Sequence, residues 1–463
     1  MKEQLAPIGA GFSRRGFLAG CMGCGARVVC AQGSAEKPRI RLVFSHIPAE
    51  KPTWPYQGFD YEGRKKELLA RLTAACPNIE FLPATAMNAA DARQILTGDA
   101  EVDGYAVYML GLWPRAGEVI AAMNRPTLFI DDLYAGSGEF LISYAAAKRK
   151  GLRVAGVASS RFEDVVQAMK TFEALKKLRS ATILDVVDRP PGTNGSAITD
   201  VFGTGVKQIT PAEYNEAYAK ADKAEAAAFA KRWIKGAQKV VEPAADEIER
   251  SGQIYIGMRN LMAQYKADAI TVDCLGLFYN GKAPAYPCLG FFQMNNDGKV
   301  GACEADLQST ITMLAVTYLT GRPGYISDPV VDTGKSQIIY AHCVAPSKVF
   351  GPAGPSSAYY IRNHSEDRKG ASVRVLMPVN EMTTTLRINP VSRQVIFHQA
   401  KTVANIDEDK ACRTKVAAEI RDPYKMIEEY DTWGWHRVTF YGDLRQPVEH
   451  FTGLLGLKLV HEG

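Results

Sequence analysis

Gly298-Lys-Val-Gly-Ala-Cys303-Glu304-Ala305-Asp306, then Leu307 to Leu319 without a charged side chain, then Thr320-Gly321-Arg322-Pro323 and Gly324-Tyr325-Ile326-Ser327-Asp328, is the stretch whose reading decides the fold. Leu307, Ile311, Leu314, Ala315 and Tyr318 recur at helical spacing, and Gly321 with Pro323 is a stop signal. Tyr325 to Ser327 reads as a short buried strand with Asp328 at its carboxyl end. Open α/β sheets take ligands at that end, and helix N-termini favour ionised carboxylates. Glu304, at the start of the predicted helix, and Asp328 are therefore expected at one edge of one sheet. The competing structural reading makes Glu304 and Asp306 first-turn helix acids and Asp328 a loop residue.

The Glu-x-Asp head, the small-apolar helix, the Thr-Gly-x-Pro turn and the later Asp resemble the L-fucose isomerase and L-arabinose isomerase-like family. Trp433-Gly434-Trp435-His436 and the tail Val438 to Asp443 and Leu454 to Leu459 have the same look. The resemblance runs from about residue 38 onward and is sharp only from residue 268. It implies that Glu304, Asp328 and His436 hold a divalent metal, manganese or another, and that Glu304 and Asp328 also move the proton. The implied activity is aldose–ketose isomerisation of a small-molecule sugar through an enediol. His342, following a predicted strand, is a candidate for substrate binding, with a structural barrel histidine as its other reading. Trp435 departs from the family, which is more polar just before its histidine.

Working outward, strands at Arg39–Ser45, 79–82, 102–110, Thr127–Asp131 and 152–158 alternate with helices at Tyr61–Ala75, 90–97, 116–123 and 138–148. That rhythm predicts a parallel sheet covered on both faces. A helix over 162–179 and a strand over 181–187 open a second such unit, and 189–195 is the clearest break. Beyond Asp328, short alternating runs separated by Gly, Pro and Asn describe an antiparallel sheet or barrel. The fold class is α/β, with two doubly wound, Rossmann-like domains over residues 38–180 and 181–328. A β-rich, barrel-like C-terminal domain over 329–463 follows.

Ser13-Arg14-Arg15-Gly16-Phe17-Leu18 matches the twin-arginine export signal, and Val29-Cys30-Ala31 offers a cleavage site. Residues 1–31 are thus expected to be a signal peptide read by the twin-arginine export machinery, giving a periplasmic or secreted protein. Lipidation at Cys21 is the rival, and no membrane-spanning segment is expected. With 463 residues, 46% hydrophobic and 23% charged, and net charge +5, the chain is an ordinary globular protein with no call for nucleic acid. Three of its nine cysteines lie in the signal segment; the others, Cys76, Cys274, Cys288, Cys303, Cys343 and Cys412, are expected as buried thiols. Trp54, Tyr56 and Trp113 suit a contact in a homo-oligomer. The remaining histidines, His46, His364, His398, His450 and His461, are expected to be surface or structural. The alternative function is an exported glycosidase or lyase, or a sugar-binding protein, on the isomerase scaffold.

Overall fold

The computed structural model describes residues 36–463 apart from Pro191. The segment expected to be a signal peptide, with Arg14, Arg15, Cys21 and Ala31, lies outside the described residues. Five strands open the chain: β1 (Arg39–Ser45), β2 (Glu80–Ala86), β3 (Gly104–Met109), β4 (Thr127–Asp131) and β5 (Val154–Val157). They pair in parallel in the order β2-β1-β3-β4-β5. The central strands are apolar along their whole length, because helices cover both faces; Leu42, Val43, Val107, Leu128 and Phe129 are fully buried.

The next unit contains β6 (Thr182–Val186), β7 (Gly205–Ile209), β8 (Lys239–Val240), β9 (Ala269–Val272) and β10 (Val300–Cys303). Four of these form a parallel sheet in the order β10-β9-β6-β7. The helix at Thr193–Phe202 and β7 fall where the sequence shows a Pro/Gly break followed by a polar run, and neither was expected. Three helices follow, at Pro211–Ala219, Lys223–Gly236 and Ala245–Gln264. Asp222 separates the first two by capping the second, accepting from the amides of Ala224 and Glu225.

The remainder is β-rich: β11 (Tyr325–Asp332), β12 (Gln337–His342), β13 (Tyr359–Arg362), β14 (Ser372–Val375), β15 (Met382–Asn389), β16 (Gln394–Asn405), β17 (Thr414–Glu419), β18 (Arg437–Tyr441) and β19 (Lys458–His461). Seven of these form a sheet in the order β15-β18-β11-β12-β17-β16-β19, and β15 also pairs with β16, which closes all but β19 into a ring. A small sheet of β14, β13 and β8 stands beside it. The architecture is mixed α/β, with parallel sheets and a β-rich C-terminal sheet. Among the described residues no helix is long and apolar enough to cross a membrane.

Candidate metal centre

Two local departures from the sequence reading set the geometry of the site. Glu304 does not begin the helix Leu307–Thr320; it follows β10 in a turn, and Asp306 is the helix cap, accepting from the Ser309 amide. Glu304 and Ala305 sit at φ 63° and 48°, the left-handed region that L side chains rarely adopt. Such conformations cost on the order of 1–3 kcal/mol each and collect at functional sites. Asp328, in turn, lies inside a strand rather than at the end of one. Tyr325–Ser327 pair with β18, and from Asp328 onward the strand pairs with β12. Asp328 is thus at the point where β11 changes partner, in the antiparallel sheet and not in the parallel one. The two acids meet across the junction of two sheets rather than along the edge of one.

His342 ends β12, and His436 immediately precedes β18. The structure brings Glu304, Asp328, His342 and His436 together, with one donor atom of each within 4.8 Å of all the others. His436 Nε2 lies 3.4 Å from Glu304 Oε2 and 3.3 Å from Asp328 Oδ1. His342 Nε2 lies 3.7 Å from Glu304 Oε1 and 3.9 Å from Asp328 Oδ2. Among the described residues, Asp328 Oδ1 and both Nε2 atoms are buried without a hydrogen-bond partner. Two carboxylates and imidazole nitrogen are a donor set for manganese, iron(II), magnesium or zinc, so these residues are able to hold a divalent ion.

Burial alone would raise the Asp328 carboxyl, but His436 beside it and the charge of His342 hold it below its ordinary value. Burial would likewise lower His436, yet Asp306, Asp328 and Glu304 together raise it well above the usual imidazole range. A cation held here would therefore compete with a proton for the same His436 lone pair, and its binding would release the proton.

Asp306, which the sequence marks only as an acid at the helix start, stands directly behind His436. His436 Nδ1 is 2.8 Å from Asp306 Oδ2, and Arg387 Nη1 donates to the same oxygen at 2.6 Å. Arg387 also donates to Gln308 Oε1 and Ser309 Oγ. Burial pushes the Asp306 carboxyl up, but the Arg387 charge and the His436 contact hold it well below the usual range. This is a carboxylate that orients a histidine from behind. Asp306→Asn keeps an acceptor but loses the charge, and is expected to weaken manganese binding about 10–100-fold without abolishing it. Isothermal titration of the metal-free variant measures this, and unchanged affinity would show that the contact has no bearing on the ion.

Among the described cysteines none is in a disulfide; five are buried and Cys412 is half-buried. Cys412 Sγ stands 4.0 Å from Asp328 Oδ2. His46, His364, His398 and His450 are buried and His461 is exposed, all of them outside the cluster. Trp54, Tyr56 and Trp113 are exposed. A surface hollow of about 400 Å³ lined by Glu242, Arg250, Phe278 and Arg368 includes none of the four clustered residues.

No protein-family profile matches the chain. A solute-binding protein of an ABC transporter from Actinobacillus succinogenes 130z, solved with bound D-allose, is 13% identical over 61% of this chain and 92% of that chain. Its TM-score of 0.18 carries no argument about the fold. The sulfoquinovose isomerases of Priestia aryabhattai and Priestia megaterium are each 24% identical over 234 residues, 48% of this chain and 50% of theirs. The chain thus spans about half the length of these curated relatives. That of Clostridium sp. strain MSTE9 is 22% identical over 314 residues, 64% of this chain and 69% of the relative. The chain is therefore weakly similar to sulfoquinovose isomerases, sugar isomerases of the fucose/arabinose isomerase-like kind.

Proposed function

We propose that the chain is a metal-dependent aldose–ketose isomerase acting on a free monosaccharide, with a divalent cation, manganese first among the candidates, held by Glu304, Asp328 and His436. The observation that carries this reading is the meeting of Glu304, Asp328, His342 and His436, donor atoms within 4.8 Å, from four separate segments of the chain. The weak similarity to sulfoquinovose isomerases supports the same class of reaction.

Aldose–ketose isomerisation moves a proton between C1 and C2 through an enediol, with a carboxylate taking and returning it. The ion, when bound, polarises the oxygens on those carbons and stabilises the negative charge that develops. Glu304 and Asp328 each turn one oxygen toward His436 and the other toward His342. The oxygens beside His436 suit the ion, and those beside His342 stay free to carry the proton. The rival two-carboxylate glycosidase needs one protonated acid. Asp328, held below its ordinary value by His436 and His342 against the effect of burial, is unsuited to that part. Export by the twin-arginine route, on Arg14 and Arg15, and assembly into a homo-oligomer belong to the same proposal.

Protein purified without chelator tests the reading by elemental analysis and a screen of pentoses, 6-deoxyhexoses and sulfoquinovose. Ketose is expected from at least one aldose, lost on chelation and restored by manganese. Sugar binding without turnover, or glycan cleavage that persists in chelator, would replace the isomerase with one of its rivals.

A further inference from the structure

Four of the described cysteines stand in two pairs, and neither pair is among the proposed ligands of the metal. Cys274 Sγ and Cys303 Sγ are 3.4 Å apart. Cys303 ends β10 and Cys274 follows β9 by two residues, and each is only 3% exposed. Thiol–disulfide exchange needs access to the attacking sulfur, so this closer pair is shut off from reagents outside the fold. Cys343 and Cys412 differ in that respect. Their sulfurs lie within 4.8 Å of each other; Cys343 is buried, whereas Cys412 is half-buried at the end of an exposed run, residues 407–411. The last rung of the β12–β17 ladder joins His342 to Thr414, so Cys343 lies one residue beyond it and Cys412 two residues before it. No strand pairing fixes the backbone of Cys412. Cys343 is held in place, its carbonyl accepting from the Val373 amide at 3.4 Å and its amide donating to His342 Nδ1 at 2.8 Å. An S–S bond of about 2.05 Å is reached by a shift of less than about 3 Å, which the free end carrying Cys412 can supply. A reachable thiol backed by a buried one is the arrangement that captures an outside disulfide and then expels it.

We infer that Cys343 and Cys412 are a disulfide-forming pair, with Cys412 the attacking thiol, Cys343 the resolving one, and a small aliphatic disulfide as the oxidant. The Cys412 thiolate attacks one sulfur of that disulfide, forming a mixed disulfide and releasing the first thiolate. The Cys343 thiolate then attacks the Cys412 sulfur, closing the internal bond and releasing the second. Two protein thiols are oxidised, the incoming disulfide is reduced to two thiols, and the two protons pass to the released sulfurs. The bond ties the end of β12 to the start of β17 and encloses β13 to β16 in a covalent loop. The proposed export would carry the chain into a compartment where disulfides form and persist. Cys412 Sγ is 4.0 Å from Asp328 Oδ2, so the bond forms at the wall of the metal centre, yet its chemistry does not depend on what that centre holds.

The test incubates the full chain with oxidised glutathione, alkylates the remaining thiols in denaturant, and maps the peptides without reduction. Cys343 and Cys412 are expected to leave the alkylated pool together, joined in one cross-linked peptide pair that dithiothreitol releases. Cys76, Cys274, Cys288 and Cys303, all buried, are expected to stay alkylated. Cys343→Ser should stop at glutathione held on Cys412, and Cys412→Ser should leave Cys343 a free thiol, protected by its burial. Should either variant fail to fold, the wild-type time course reads the same order, with glutathione on Cys412 preceding the cross-link. Both cysteines still alkylated after exposure, glutathione retained on wild-type Cys412 beside a free Cys343, a first adduct on Cys343, or a Cys274–Cys303 bond in place of theirs overturns the inference.

Discussion

Glu304→Gln is expected to lose bound manganese and to lower turnover by at least about 10³-fold, since one group supplies both a ligand and a proton-carrying oxygen. The side chain keeps its shape and its place in the turn after β10, so fold and activity part company in this variant. In the metal-free wild type, Glu304 and Asp328 converge on one point, and their repulsion is offset by His436, which Asp306, Asp328 and Glu304 raise well above the usual imidazole range. Removing one carboxylate charge takes away repulsion and attraction together. The metal-free variant should therefore melt close to the metal-free wild type. Manganese at about 1,000 times its dissociation constant adds about 4 kcal/mol to a protein that binds it only when folded. Wild type should show that gain, and Glu304→Gln should not. Paired melting curves with and without manganese measure it, and a variant that is still stabilised by manganese would remove Glu304 from the ligand set.

The second large effect belongs to a clasp behind the site. Arg437, fully buried, donates from Nε and Nη2 to Glu462, which is itself only 2% exposed. The same guanidinium donates to the carbonyls of Gly434 and His436, so it also fixes the backbone that carries the histidine. Glu462 Oε2 lies 3.2 Å from His398 Nδ1. Burial would raise the Glu462 carboxyl, but the hydrogen bonds of His398 and Arg437 bring it from 4.5 down to about 2. A depressed carboxylate contributes stability that is fully present above the unfolded value of 4.5 and is lost as pH falls toward about 2. The shift corresponds to on the order of 3 kcal/mol. Glu462→Gln leaves Arg437 charged and unpaired, which typically costs about 3–5 kcal/mol. Urea denaturation should find that deficit at pH 7 and find it shrinking steadily below pH 4.5. A deficit that stays constant down to pH 2.5, about half a unit above the folded value, would mean that the pair does not titrate as a unit.

The alternation of strands and helices in the first unit was legible because each element carries its own period and its own stop. Arg39–Ser45, Tyr61–Ala75 and Thr127–Asp131 are found with the boundaries the sequence predicts. The residues that cluster, Glu304, Asp328, His342 and His436, could also be singled out in the sequence, through the motif around the central helix and through placement after a strand. What the sequence hid is pairing between distant residues. Pro329 reads as a stop, because proline has no N–H to give a sheet. The strand nonetheless continues through it, since β11 changes neighbours at that point. Arg387 is one position in an alternating strand, and nothing local reveals that it reaches Asp306. Glu462 looks like any polar residue in a tail until Arg437 is found against it.

The meeting of the acids and His436 across two sheets also fixes an order of events during synthesis. When the ribosome has released Glu304 and Asp328, β11 still lacks β18, the neighbour whose first residue follows His436. Until that late strand threads between β15 and β11, the two carboxylates and His342, on the earlier β12, are without His436. On the proposed metal-dependent reading, a nascent chain that acquired its ion would already have brought its last-made ligand, His436, to the site.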